Sequence, residues 1–113
     1  MTTITDDYMQ QMLTRTKEYC FVLLKPGPRA SDHADVQKII WEHARRNFAL
    51  RAEGLLSIVC PVTAETGVSG LGIFNATVEE TKEIMDGDPA VRAAIFVYEV
   101  HPCKSFPGDC LPA

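Results

Sequence analysis

Apolar and polar positions along the chain switch several times between the spacing of helices and that of strands. In "DDYMQQMLTRTK", residues 6–17, Tyr8, Met9, Met12 and Leu13 recur at helical spacing after a Thr5/Asp6 start, which predicts a short amphipathic helix packed on the domain. "YCFVLL" (19–24) is a strand ended by the turn "KPGP". Helical spacing then runs from about Ala34 to Glu53, with Ser31 and Asp32 as N-cap candidates and Gly54 at the C-terminal cap. "LLSIVCPV" (55–62) and "LGIFNA" (71–76) are strands, and the polar link "TAETGVSG" makes them a hairpin. Thr77 caps a second helix, "VEETKEIMD", with Val78, Thr81, Ile84 and Met85 inward, and Asp86 to Asp88 break it. "AIFVYEV" (94–100) is the last strand, and "HPCKSFPGDCLPA", with three prolines, is an extended tail.

The order β-α-β-β-α-β predicts an α+β, ferredoxin-like fold, an antiparallel sheet with both helices on one face. The strands are apolar on both faces ("CFVLL", "LLSIVC", "IFVY"), so the bare face is expected to be covered by a second subunit, giving a homodimer or higher oligomer. The expected division is a helical extension over 1–18, the ferredoxin-like domain over 19–102 and the tail over 103–113.

With 113 residues, this is one domain's length of chain, and 46% hydrophobic against 23% charged residues suit a globular protein. A net charge of -4 and no basic block beyond Arg45-Arg46 argue against nucleic acid as a ligand. No apolar run approaches the roughly 20 residues of a membrane span, and the start lacks a signal peptide's pattern, so the expected compartment is the cytoplasm. Cys20 and Cys60 read as small core residues, and Cys103 and Cys110 as free thiols of the tail.

The chemistry starts in "IIWEHARRN". At about 100° per residue, Val36, Ile39, Ile40, His43, Asn47 and Leu50 share one arc of the first long helix, opposite Lys38, Glu42, Arg45, Ala49 and Glu53. Trp41 and Phe48 lie on a flank that suits the N-terminal helix or a neighbouring subunit. His43 therefore stands on the buried stripe and must either find a hydrogen-bond partner or face a cavity. On spacing alone, a core histidine satisfied by a backbone carbonyl is the default.

From Tyr19 to about Pro102 the chain resembles the YciI-like (YCII-related) domain of the dimeric α+β barrel superfamily. The resemblance is carried by "YCFVLLKPGP", His43, "EGLLSIVCPV", "GLGIFNATVEETKEIMDGDPAV" and "FVYEVHP". Cys60 departs from it, standing where glycine usually precedes the proline. The resemblance implies a ferredoxin-like fold, dimerisation through the sheets, a pocket in each subunit and a His–Asp dyad, which falls here on His43 and Asp88. The family's suggested activities are lyase-like or dehalogenating steps on small ring compounds, and related isomerases move protons on lactone rings.

Physical reasoning on the same residues is compatible. Asp88, before Pro89, suits the N-cap of the short "PAVRAA" turn. Such a carboxylate, accepting from His43 Nδ1–H, would fix the imidazole tautomer and leave Nε2 free to take a proton. Asn47, Lys25 and Arg92 are substrate-binding candidates: an amide one turn from His43, and two cations for an anionic group. His101 and His33 read as structural. No nucleophile elbow, phosphate loop or metal-binding pattern is present, and neither cofactor nor metal is expected. The expected function is general acid/base proton transfer, as isomerisation or elimination, on a small cyclic or hydroxylated aromatic acid. A ligand-binding or accessory module without turnover is the alternative.

Overall fold

The computed structural model describes residues 1–113. Its elements run α1 (Asp6–Leu13), β1 (Lys17–Pro26), α2 (Val36–Ala52), β2 (Leu56–Pro61), β3 (Gly70–Phe74), α3 (Val78–Asp86), α4 (Pro89–Arg92) and β4 (Phe96–Ser105). The strands form one antiparallel sheet in the order β2-β3-β1-β4, the ferredoxin-like arrangement expected from the alternation of elements. Along β1, Cys20, Val22 and Leu24 are buried and alternate with half-buried Phe21, Leu23 and Lys25. Their cross-strand partners continue the inward row, with Phe74, Gly72 and Gly70 on β3 and Pro102, Val100 and Tyr98 on β4. This inward row carries α2, α3 and α4, and the core is built from Cys20, Val22, Leu24, Leu50, Leu56, Phe74 and Met85. No helix is long and apolar enough to cross a membrane.

Local chemistry sets the element ends. Thr77 and Glu80 make a reciprocal capping box at α3, with Thr77 N donating to Glu80 Oε1 at 3.0 Å and Glu80 N to Thr77 Oγ1 at 3.1 Å. Gly54, at φ 79°, closes α2 by a Schellman pair: its own N–H donates to Arg51 O and that of Leu55 to Leu50 O. Ala94 closes α4 in the same way at φ 59°, which a side chain adopts only at some cost. At Gly27 a Cβ would lie 2.4 Å from Ala94 O, so only glycine lets β1 leave the sheet there.

Four expectations change. Cys60, expected as a small core residue, is exposed on the edge strand β2. Ser31 and Asp32 do not cap α2; they lie in a turn, and the helix starts after Asp35, whose N–H donates to His33 Nδ1. The last strand does not end at Val100 but runs through Pro102 to Ser105, paired with Lys17, because β4 is an edge strand and tolerates a residue without an N–H. Finally, α1 buries no residue: Ile4, Tyr8, Met9 and Leu13 stay exposed. Only Thr14, Arg15 and Thr16 separate it from β1, a link spanning roughly 10 Å, too short to carry it back over α2.

Candidate active site

The space between α2 and the sheet is not filled. Two of the three inward positions of β3 are glycines, Gly70 and Gly72, so this strand raises no side chain toward α2 until Phe74. The result is a cavity of about 300 Å³, roofed by Ile40, His43, Ala44, Asn47 and Phe48 and floored by Val22, Leu24, Val59 and Phe74. That volume is at the small end for ligand sites and suits a single ring. The wall is mainly hydrophobic; its polar side chains are His43, Asn47, Ser69 and the thiol of Cys60, and it carries no lysine, arginine or carboxylate.

His43 and Asp88, from elements 45 residues apart in sequence, meet here with Nδ1 2.7 Å from Oδ2. The His43 side chain is 11% exposed and that of Asp88 1%. Asp88 is both N-cap and partner. Its Oδ1 accepts from Ala90 N at 2.8 Å and Val91 N at 3.3 Å, starting α4, while Oδ2 is left to the imidazole. Burial pushes the Asp88 carboxyl up, but the His43 hydrogen bond and charge, with the two N–H groups, outweigh it and hold the group below its ordinary value. An ionised Asp88 makes Nδ1 the protonated nitrogen of a neutral ring. Asn47 Nδ2 lies 3.3 Å from Nε2, and with Nδ1 protonated the amide donates to that nitrogen's lone pair. Asp88 is not part of the cavity wall, so the ring edge that lines it is the Nε2 edge. The Phe96 ring, tilted at 58° with its centroid 5.2 Å from that of the imidazole, packs against the ring.

The other candidates lie elsewhere. Lys25 pairs with Glu99 of β4 and does not reach the cavity. The reason is strand parity: Leu24 points inward, so its neighbour points to the opposite face. The Lys25 hydrogen bond and charge hold the Glu99 carboxyl below the usual range. Arg92, in the last turn of α4, is exposed and also absent from the wall. His101 stacks on Phe21 with centroids 5.0 Å apart and lies 3.5 Å from Glu99, a structural role on the open face of the sheet. No group of three or more histidine, cysteine or acidic side chains converges to hold a metal ion.

One residue escaped sequence reasoning. Arg46, one turn after His43 on α2, brings Nη1 to 3.9 Å from Asp88 Oδ2, and this nitrogen is sealed from solvent without a hydrogen-bond partner. A charged residue at the edge of a helical stripe reads as solvated by default, and nothing local announced a carboxylate 42 positions later. The glycine of "DGDP" was the available signal. At Gly87 a Cβ would lie 3.0 Å from Arg46 Nη2, although its φ of -86° suits any residue. The acid on its other side, Asp86, faces outward and accepts from the Tyr98 phenol at 2.6 Å. Burial, and then this acid, push the Tyr98 hydroxyl up to about 12.

No protein-family model matches the chain, and no curated protein sequence does. Among solved structures it is similar to 5-chloro-2-hydroxyhydroquinone dehydrochlorinase from Burkholderia phenoliruptrix AC1100, in complex with 2,5-dihydroxybenzoquinone. The TM-score is 0.50 at 18% identity, over 74% of this chain and 90% of that one. The likeness is one of fold.

Proposed function

We propose that the protein is a cofactor-independent enzyme of the YciI-like family that moves protons on a small ring. His43 is its general base and acid, and Asp88 orients it. The observation that carries this reading is the 2.7 Å contact of His43 Nδ1 with a buried, ionised carboxylate while the opposite ring edge lines a cavity. Nε2 takes a proton from a ring hydroxyl, or from carbon beside a carbonyl, and the imidazolium formed is balanced by Asp88. The same nitrogen then returns the proton, giving isomerisation, or loses it to water after a leaving group departs from the ring. As substrate enters, Asn47 exchanges Nε2 for a substrate oxygen.

The apolar wall without a cation narrows the substrate: a neutral or phenolic ring fits, and a ring acid would bury its carboxylate unpaired. The dehydrochlorinase of similar fold, whose name and bound quinone describe a hydroxylated ring, supports the same class. The open sheet face, where Val97 is 44% exposed beside half-buried Phe21, Leu23 and Ile73, supports a homodimer through the sheets. A ligand-binding module without turnover is the competing reading, and the Asn47 amide held on Nε2 favours it.

Halide release and product spectra from a panel of halogenated and plain hydroquinols decide between them. Wild-type protein should turn over at least one member, and His43→Ala should lose about 10²–10⁴-fold in rate while ring affinity stays within a few-fold. Unchanged turnover in His43→Ala removes the base assignment, and binding without product leaves the module.

A further inference from the structure

We infer that Arg46 is a positioning residue for the His43–Asp88 pair, a fixed cation beside Asp88 that keeps the carboxylate aimed at the imidazole and offsets part of its pull on the ring's proton. The catalytic meaning of this rests on the general-base reading above; the electrostatic arrangement does not. The two oxygens of Asp88 are divided between tasks, Oδ1 for the N–H groups of α4 and Oδ2 for His43. Arg46 Nη1 approaches the second of these at 3.9 Å, so imidazole and guanidinium share one oxygen. A buried guanidinium nitrogen with no hydrogen-bond partner is costly and is held there by its surroundings. Gly87 is what makes room, since the other guanidinium nitrogen occupies the space where a Cβ would crowd it at 3.0 Å. The segment "DGD" is thereby divided three ways: Asp86 to Tyr98, Gly87 to Arg46, and Asp88 to His43.

The charged groups facing His43 are few. Asp88 comes from the turn into α4 and Arg46 from its own helix; the sheet presents Phe96, Val22 and Leu24, and α3 presents Met85. Cys60 on β2 is the other titratable group on the cavity wall. A lone carboxylate would make the imidazole strongly basic. A fixed cation on the same oxygen offsets part of that effect and suits a base that must release its proton in every turnover.

The test is an NMR titration of the imidazole signals, which needs no substrate. Arg46→Gln should raise the pH at which His43 titrates by about one to two units, the upper figure being the Coulomb interaction at an effective dielectric near 20 across the two contacts to Asp88 Oδ2 and the lower one allowing for screening of a partly exposed guanidinium. Arg46→Lys, which keeps a charge, should show less than half that shift. Gly87→Ala should move the titration in the same direction by crowding the guanidinium, and it carries the test alone if Arg46→Gln does not fold. A His43 titration unmoved in both Arg46→Gln and Gly87→Ala, or an Arg46→Lys shift as large as that of Arg46→Gln, overturns the proposal. Those results leave the His43→Ala experiment untouched, so the two readings fail separately.

Discussion

The two halves of the layer over the sheet are built differently. The half made by α3, α4 and the start of β4 is packed solid: Thr81, Ala90 and Ile95 are at most 1% exposed, and Met85 is 5% exposed. The other half is a 17-residue helix, α2, whose only buried residue is Leu50, lying over a strand with two inward glycines. The packed half holds the carboxylate, and the hollow half holds the imidazole and the space for a ligand. The general base proposed for this site draws on both, because an orienting group must not move while the group it orients must reach a guest.

Large-to-small substitutions should separate the halves most clearly. Ile95→Ala should cost about 3–4 kcal/mol, the middle of the range for a buried aliphatic, whereas Ile40→Ala, on the cavity roof, should cost about 1 kcal/mol because the hollow is already there. Equal losses in urea denaturation would show the cavity to be closed in solution.

Asp88→Ala joins the halves in one measurement, since it removes a helix cap and a buried hydrogen-bond partner, together about 2–4 kcal/mol. The pH dependence follows from the Asp88 carboxyl lying below its ordinary 3.8. A depressed carboxyl stabilises the fold above the unfolded value, and the contribution fades as pH falls through the folded one. The stability gap between wild type and Asp88→Asn should thus be full above about pH 5 and shrink as the pH falls below the ordinary carboxyl value of 3.8. A gap constant across that range would contradict an ionised Asp88.

Filling the hollow should sharpen the contrast at smaller energetic cost. A Cβ at Gly70 meets nothing closer than 3.6 Å, so Gly70→Val should fold within about 1 kcal/mol of wild type yet lose ring binding by tenfold or more, as isothermal titration would show. The smallest effect expected is a gain. Ala94→Gly relieves the left-handed residue after α4 and should raise stability by about 0.5–1 kcal/mol, seen as a higher Tm.

Much of the fold was legible because the alternation of elements left few topologies, and Thr77, Gly54 and Asp88 announced their helix ends in their own chemistry. What stayed hidden depends on neighbours. Pro102 reads as a strand breaker until β4 is known to lie at the edge of the sheet, and α1 reads as a packing helix until its short link to β1 is measured against the fold. Within the site, His43, Asn47 and Asp88 stood out as polar groups on an apolar stripe or at a turn. Lys25 and Arg92 were chosen for their charge alone, and parity and exposure take both away from the cavity. Arg46 was missed for the opposite reason, its environment being supplied by Gly87 and Asp88 rather than by its own helix. Gly70 and Gly72 lacked the pattern of a phosphate loop, and their role is to leave room.

The division of labour between the two oxygens of Asp88 has a temporal consequence. A chain still being synthesised has His43 long before the aspartate, and an isolated imidazole in water has no orienting partner. Only when the final quarter of the polypeptide has docked does the same event that nucleates the last short helix also give the ring its partner. The paired state of the imidazole is thereby withheld from every form of the molecule in which α4 has not docked, and recovery of the His43 resonance during refolding should report the docking of that turn.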